Sequence, residues 1–290
     1  MIIPDTGMVR FVILLLFLAS PELMAVTYSS GLAESRWQLS SSIFECQLSH
    51  DIQAFGSASF VKRAGDKEVF RLRQELPLMA PGKILLQTAP PAWRPDAPPR
   101  TLRQLEVQEG PEILRLDDGL VRQLQEGLAG RLRLVVSQLQ KDSSSALRVL
   151  LEPQGFVEPY EGYKKCVQQL LPVNFQQVER TSIYFPADGE MPKQGELRKL
   201  DNLIRYVKAD KRVKQIFIDG HTDSEGLRPD NLEVSKQRAE LIANYLIERG
   251  ITESQLVTRW HGERYPVATN QTAAGRAQNR RVTLRLDRGN

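Results

Sequence analysis

Residues 216–239 limit the possible folds of this chain more narrowly than any other segment. A short apolar run is followed by the polar turn GHTDSEG and then by VSKQRA, which has helical spacing. This order predicts a strand, a turn and a helix. The turn supplies a carboxylate, Asp223, and the helix supplies a guanidinium, Arg238. A fixed acid beside a fixed base suits a ligand that carries both an ammonium and a carboxylate group, such as an amino acid or a peptide stem.

Length and composition favour a globular protein of two domains. The 290 residues suffice for two domains of ordinary size, and a hydrophobic content of 41% is too low for a protein with several membrane spans. The net charge of +4 is a mild basic excess. Because no compact Lys/Arg cluster with interleaved aromatic residues accompanies it, nucleic acid is not expected as a partner.

The N-terminus is typical of an export signal. Arg10 precedes an apolar run over residues 11–19, and Ala25 offers a small residue for cleavage. We therefore predict a signal peptide over residues 1–25, with translation starting at Met1 or Met8. The apolar run is too short to span a bilayer comfortably, so the mature chain is expected to have no transmembrane segment.

The chain has two cysteines, Cys46 and Cys166. An even pair in an exported protein usually forms a disulfide, and we predict one here; two buried free thiols are the alternative. The bond would close a loop of roughly a hundred residues or more, which the chain-entropy model values at about 4–5 kcal/mol.

Residues 26–172 have the pattern of a β-rich domain. Apolar and polar residues alternate in several short segments, which predicts antiparallel strands with one buried face. The predicted strands lie in residues 69–76, 131–139 and 146–153, and short helices are predicted at 120–128 and 161–171, the second ended by Pro172. Residues 89–100 are proline-rich and predict an irregular loop. Two interpretations are open for Trp93 with Arg94 in this loop. The pair contacts a partner protein, or Trp93 covers the edge of the core of the first domain.

Residues 173–290 have the pattern of a separate α+β domain. Strands and helices alternate, and a loop and one last strand follow, which predicts two helices on one face of a small mixed sheet. The strands are expected at residues 181–185, 214–220, 255–262 and 280–286, and the helices at 195–210 and about 231–249. The apolar stripe of the second helix predicts Leu232, Ala239, Ile242, Tyr245 and Leu246 as inward-facing residues.

The C-terminal block resembles an OmpA-like peptidoglycan-binding domain. The matching residues are GHTDSEG at 220–226, Asn231, Ser235, the pair Arg238–Ala239, and QNRRV at 278–282. The resemblance implies a βαβαββ sandwich that binds diaminopimelate in peptide stems. It assigns the ligand ammonium to Asp223 and the ligand carboxylate to Arg238, with Asn231 and Thr222 as further binding residues.

The N-terminal block resembles the MotY family of periplasmic flagellar motor proteins. The similarity lies in residues 44–60, 90–95 and 163–171. It implies a location in the periplasm, membership of the T ring with a MotX-like partner, and a role in anchoring or assembling stator proteins at the basal body. A general envelope anchor of the OmpA or Pal type, without a motor role, is the alternative.

Several of these residues also have purely structural interpretations. Asp223 and Arg238 could form a salt bridge that fixes the loop to the helix. Asn231 could act as the helix N-cap, and Thr222 more simply fixes the turn. Ser235 is expected to bond to backbone. For the adjacent arginines at 280 and 281, a solvated pair at a strand edge is the default interpretation, and the alternative is that one of them lines the site.

Catalytic and metal-binding motifs are not apparent. The three histidines have no cysteine or glutamate partners at metal-ligand spacing, so we predict no metal site. Ser224 and Ser235 lack a nucleophile-elbow pattern, and no phosphate loop or dinucleotide fingerprint is present. We therefore expect no catalytic residues and no cofactor. A peptidoglycan hydrolase remains the third hypothesis, after a motor protein and a general anchor.

Overall fold

The computed structural model describes residues 25–31, 35–91, 94, 98–107, 109–117, 119–139, 146–187 and 191–289. The predicted signal peptide, apart from Ala25, lies outside these residues. So does Trp93, and the two interpretations of that side chain remain predictions.

Two five-stranded sheets form the N-terminal part. Their strands are β1 Ala25–Tyr28, β2 Trp37–Ser41, β3 Glu45–Ile52, β4 Gly56–Arg63, β5 Glu68–Gln74, β6 Gly82–Ala89, β7 Arg100–Val107, β8 Glu112–Leu116, β9 Arg133–Leu139 and β10 Ala146–Leu151. The strand orders are β1-β10-β9-β6-β7 and β2-β3-β4-β5-β8, and every pair is antiparallel except β1 with β10. The expected β-rich N-terminal domain is confirmed.

Two helices complete this part, α1 Leu120–Ala129 and α2 Val157–Gln169. Their apolar residues join the inward faces of both sheets in one hydrophobic core. At its centre the indole of Trp37 lies 4.8 Å from the ring of Phe156 and 6.0 Å from that of Phe60, measured between centroids. Such aromatic contacts add to the free energy gained by burying the rings.

The predicted disulfide between Cys46 and Cys166 is confirmed. Their Cα atoms lie 6.0 Å apart, and the bond joins the start of β3 to α2. It therefore connects the β2–β3 hairpin of one sheet to α2, the helix that follows the last strand of the N-terminal part.

The C-terminal part contains a four-stranded sheet with order β11-β14-β12-β13. Its elements are α3 Phe175–Val178, β11 Arg180–Tyr184, α4 Gln194–Ala209, β12 Gln215–Gly220, α5 Arg228–Glu248, a 3₁₀ turn Glu253–Gln255, β13 Leu256–Trp260, α6 Ala273–Asn279 and β14 Arg281–Asp287. Strands β12 and β13 are parallel, and β14 pairs antiparallel with β11 and β12. Alternate strand residues and the apolar sides of α4 and α5 form a second core.

Helix α5 departs from its prediction at its start. It begins at Arg228, because Pro229 occupies the first turn, where its fixed φ fits and its missing N–H costs nothing. Leu232 was predicted to face inward, and this is wrong: the side chain is 44% exposed. The inward position in this turn is taken by Asn231.

The two parts meet at a packed junction. The turn before β3 places Phe44 against the C-terminal core, where its ring lies edge-on to Tyr206 with centroids 5.8 Å apart. Beside it, the backbone N–H of Leu171 donates to the carbonyl of Ile43 at 3.0 Å. The disulfide at Cys46 holds the same turn on its N-terminal side.

Helix α3 makes a second contact across the junction. Its capping box uses one amide oxygen each of Asn174 and Gln177. The remaining amide hydrogens reach the other part: Nδ2 of Asn174 donates to Oδ1 of Asp66 at 2.8 Å, and Nε2 of Gln177 donates to the carbonyl of Gly65 at 3.1 Å. Gly65 has φ +71°, and a Cβ there would lie 2.1 Å from Oε1 of Gln177, so this turn requires glycine.

Replacing Phe44 with alanine is expected to loosen this junction. Because Phe44 is only partly buried, the loss should be about 1–2 kcal/mol, below the range for a fully buried phenylalanine. Thermal unfolding and the rate of proteolysis at residues 170–174 measure the effect. Ile43→Ala is the matched control, because it removes an exposed side chain from the same turn and keeps the backbone bond to Leu171. Equal effects of the two substitutions would argue against the junction.

Candidate functional site

The candidate site lies where β12 ends and the chain turns toward α5. Backbone hydrogen bonds fix this turn: the N–H of His221 donates to the carbonyl of Arg281 at 2.9 Å, and the N–H of Thr222 donates to the carbonyl of Gly262 at 3.0 Å. The turn is therefore held from both sides, by the start of β14 and by the loop after β13.

Asp223 is buried at this turn, with 6% of its surface exposed. Its Oδ2 accepts a hydrogen bond from Nη1 of Arg280 at 2.7 Å, and its Oδ1 accepts one from the backbone N–H of Glu225 at 3.2 Å. The ion-pair partner of Asp223 is thus Arg280 and not Arg238. The interpretation of Asp223 and Arg238 as a structural salt bridge is wrong.

Arg238 lies nearby on α5, with 9% of its surface exposed. Its guanidinium carbon lies 5.1 Å from the ring centroid of Phe185, and its Nη1 is buried and has no hydrogen-bond partner within the described part of the chain. Burial lowers the pKa of Arg238, while the charge of Asp223 raises it and that of Arg280 lowers it. Arg238 thus lies near Asp223 and Arg280, which are themselves in direct contact.

Thr222 adds a second unpaired group. Its Oγ1 is buried and has no hydrogen-bond partner among the residues that the structure describes. The expectation that this hydroxyl fixes the turn is therefore wrong, since the backbone N–H does so instead. An unpaired buried donor costs about 1–3 kcal/mol, and more when it is charged, so an acceptor that reached Arg238 would be favoured.

Asn231 is buried in the first turn of α5, and its side chain contacts the loop after β13. It is not the N-cap, because the helix begins earlier and Leu227 occupies that position. Its Nδ2 donates to Oε2 of Glu263 at 2.8 Å, and Oε1 of Glu263 accepts from Nε of Arg228 at 3.2 Å. Asn231 thus helps to hold the loop after β13 against α5.

The two adjacent arginines before β14 are not a solvated pair, as the sequence had suggested. Arg280 binds Asp223, and Arg281 is buried and donates from Nη2 to the carbonyl of Tyr265 at 3.1 Å. Adjacent residues at the start of a strand point to opposite faces, so one of them had to face inward. Ser235 behaves as predicted and donates to the backbone carbonyl of Leu232 at 2.7 Å.

Asn279 is a second residue that sequence analysis missed. Its Oδ1 accepts from the backbone N–H groups of Val267 and Ala268, and its Nδ2 donates to Oδ1 of Asn270 at 2.8 Å. The Oδ1 of Asn270 also accepts a hydrogen bond from the backbone N–H of Ser224 at 3.3 Å. Asn279 thereby connects the loop before α6 to the turn that carries Asp223. The asparagine within QNRRV was its only sequence signal.

The histidine next to the site is kept neutral. Burial, with the nearby charges of Arg281 and His261, lowers the pKa of His221 to about 4, and its ring stacks on His261 at 5.0 Å between centroids. His261 is bonded through Nε2 to Asp219. Among the described residues, no group of His, Cys, Asp and Glu side chains could hold a metal ion.

The chain consists of a β-rich domain followed by an OmpA-like α/β domain, which carries the buried acid–base site. Residues 190–280 match the OmpA family. The MotY N-terminal domain model matches residues 28–172, half of the chain. The chain therefore belongs to the MotY family.

Similar proteins match either most of the chain or about a third of it. A sodium-type flagellar protein MotY from Vibrio parahaemolyticus is 26% identical over 274 residues, 91% of this chain and 92% of that protein. A peptidoglycan-associated lipoprotein from Pseudomonas putida is 35% identical over 105 residues, 36% of this chain and 62% of that protein. The solved peptidoglycan-associated lipoprotein from Burkholderia pseudomallei aligns with a TM-score of 0.35 at 30% identity, covering 37% of this chain and 90% of that one.

The helices within the described part of the chain are all too short or too polar to cross a membrane.

Proposed function

We propose that this chain is a non-enzymatic periplasmic protein of the flagellar motor whose C-terminal domain holds peptidoglycan by its peptide stems. The observation that carries the proposal is the buried, unpaired Nη1 of Arg238 in one site with the carboxylate of Asp223. The side-chain end of diaminopimelate carries both an ammonium and a carboxylate, so it complements both groups. Thr222 and Asn231 are the further proposed ligand contacts.

The types of residue suit this ligand. The planar guanidinium of Arg238 remains charged at any physiological pH and binds a carboxylate in a bidentate manner. The carboxylate of Asp223 only accepts hydrogen bonds when ionised, as an ammonium requires. The OmpA match over residues 190–280 includes all four proposed contacts, and one relative is named for its association with peptidoglycan.

The motor role follows from the family of the N-terminal domain. We propose that residues 26–172 join the T ring with a MotX-like partner and help to anchor or assemble stator proteins at the basal body, while residues 173–290 hold the wall. A stator that produces torque needs a stiff support, and the cell wall provides one in the periplasm. Two contacts of modest affinity on one chain bind more tightly together than either does alone, because the first contact raises the effective concentration for the second.

Arg238→Ala and Asp223→Ala are each expected to lower binding to purified sacculi at least tenfold. A hydrogen bond to a charged group contributes about 1.5–3 kcal/mol, and 1.4 kcal/mol corresponds to a factor of ten. Co-sedimentation with sacculi over a range of protein concentrations measures the change. Arg285→Ala is the matched control, because it removes the same charge from an exposed position on β14 and should leave binding unchanged. Wild-type binding by both site variants would refute the assigned site.

Motility separates the motor role from that of a general envelope anchor. Cells that lack the protein should keep their filaments but stop swimming, and a fluorescent fusion should localise to the basal bodies. Normal swimming of the deletion strain, with a fusion spread around the envelope, would instead favour the general anchor.

A further inference from the structure

Arg280 is the arginine that pairs with Asp223, and this pairing decides which charged groups of the site remain unpaired. In the absence of ligand, Asp223 has two possible arginine partners, and it is bonded to Arg280 at 2.7 Å. The side chains of Arg280 and Asp223 are largely buried, with 13% and 8% of their surfaces exposed, respectively. Arg238, on the other side, keeps a buried Nη1 with no partner.

The backbone holds Arg280 in this place. The N–H of Phe185 donates to the carbonyl of Arg280 at 2.9 Å, and the N–H of Arg280 donates to the carbonyl of Arg276 at 3.1 Å. The side chain of Phe185 packs against the guanidinium of Arg238. Phe185 therefore contacts both arginines, through the backbone of Arg280 and through the guanidinium of Arg238.

Two guanidinium groups and one carboxylate give the site a net charge of +1. Because these three groups are largely buried, this excess of positive charge is poorly screened by water and matters for any ligand. A ligand end with an ammonium alone would add to the excess of positive charge. A ligand end that also carries a carboxylate would offset it and would pair the free nitrogen of Arg238.

We propose that Arg280 is a positioning residue of the stem site: by occupying Asp223 it keeps Arg238 unpaired, and the site therefore selects stem ends with a free carboxylate over ends where that group is an amide or is missing. The inference rests on the proposed stem binding and adds to it the chemical form of the stem.

The selectivity is measured with three soluble tripeptides. They end in meso-diaminopimelate, in the same residue with its side-chain carboxylate amidated, and in lysine, and they are titrated into the full mature chain by calorimetry. We expect the free acid to bind at least tenfold more tightly than the other two, because an amide or a missing group leaves the buried Arg238 without a charged partner.

Arg280→Gln tests the positioning role. Without the cation, Asp223 is free to pair with Arg238, so affinity for the free acid should fall and the ratio between free acid and amide should approach one. Arg280→Lys keeps the charge and should keep most of the ratio, which also covers the case in which the glutamine variant does not fold. Arg285→Gln is the charge-matched control, because Arg285 is exposed on β14 outside the site, and it should leave the ratio unchanged.

The outcomes separate the two proposals. If the wild-type chain binds neither the tripeptides nor sacculi, the proposed function itself is refuted, and this inference with it. If it binds acid and amide equally, stem binding stands and the selectivity is overturned. If Arg280→Gln weakens all three tripeptides in the same proportion, Arg280 has a structural role only and the positioning role is overturned.

Discussion

Removing the disulfide by Cys46→Ala with Cys166→Ala lowers the free energy of unfolding of the N-terminal part by about 4–5 kcal/mol. The two cysteines are separated by 120 residues, and a cross-link over such a long loop strongly restricts the unfolded chain. Both residues are also buried, so their loss leaves the turn at Phe44 less firmly held. Urea unfolding followed by tryptophan fluorescence measures the effect, since Trp37 lies in this core.

Wild-type protein in a reducing agent is the control for the alanine substitutions. It should unfold at nearly the same urea concentration as the double variant, because both have lost the same cross-link. If the oxidised protein and the double variant unfold at the same urea concentration, the disulfide contributes nothing to stability. A large difference between the reduced protein and the double variant would instead assign the effect to packing of the side chains.

Gly220→Ala is the second substitution with a large expected effect. Gly220 ends β12 directly beneath α5, and a Cβ there would lie 2.1 Å from the carbonyl oxygen of Ser235 and 3.1 Å from Cβ of Ala239. The backbone of a helix cannot give way locally, so α5 must move away from the sheet. We expect a loss of about 3 kcal/mol or more, at the upper end of the range for overpacked cores. Stem binding should fall as well, because α5 carries Arg238.

Gly195→Ala provides the matched control in the same domain. Gly195 lies in α4, where the nearest atom to a new Cβ is Nη2 of Arg198 at 3.8 Å. Alanine is favoured over glycine in a helix, so this variant should be as stable as the wild type or slightly more stable. Thermal unfolding and sacculus binding of the two variants are compared directly. If Gly220→Ala retained both wild-type stability and binding, the close approach of α5 to β12 would be refuted.

Some of the regular elements could be predicted, because their signals are local. Alternation of apolar and charged residues located β5, β9 and β10, and helical spacing located α1, α2 and α4. The start of α5 was predicted less accurately. Asn231 is a good capping residue by type, which favours a later start, and the preceding Pro229 fits the first turn of a helix equally well, which favours an earlier one. The two signals compete, and only packing against Glu263 shows that Asn231 faces inward.

The site was predicted in part for a similar reason. Asp223 and Arg238 stand out in a single strand–turn–helix unit, and the structure brings both into one buried site. For Arg280 and Arg281 a solvated pair was the default interpretation, because adjacent arginines at a strand edge are usually solvated, and the sequence did not show which of them lines the site. Its contact with Asp223 joins residues 57 positions apart in sequence, which no local pattern reveals.

The sequence by itself determined the two kinds of domain, the cysteine pair, and the acid and base on either side of one turn, because periodicity, residue type and spacing are properties of short segments. The tertiary structure decided which cation pairs with Asp223, which one remains free, and how the turn at Phe44 meets the second core. Those outcomes depend on distances between segments remote in sequence, and the buried environment makes each unpaired charge or close backbone contact costly enough to select one arrangement.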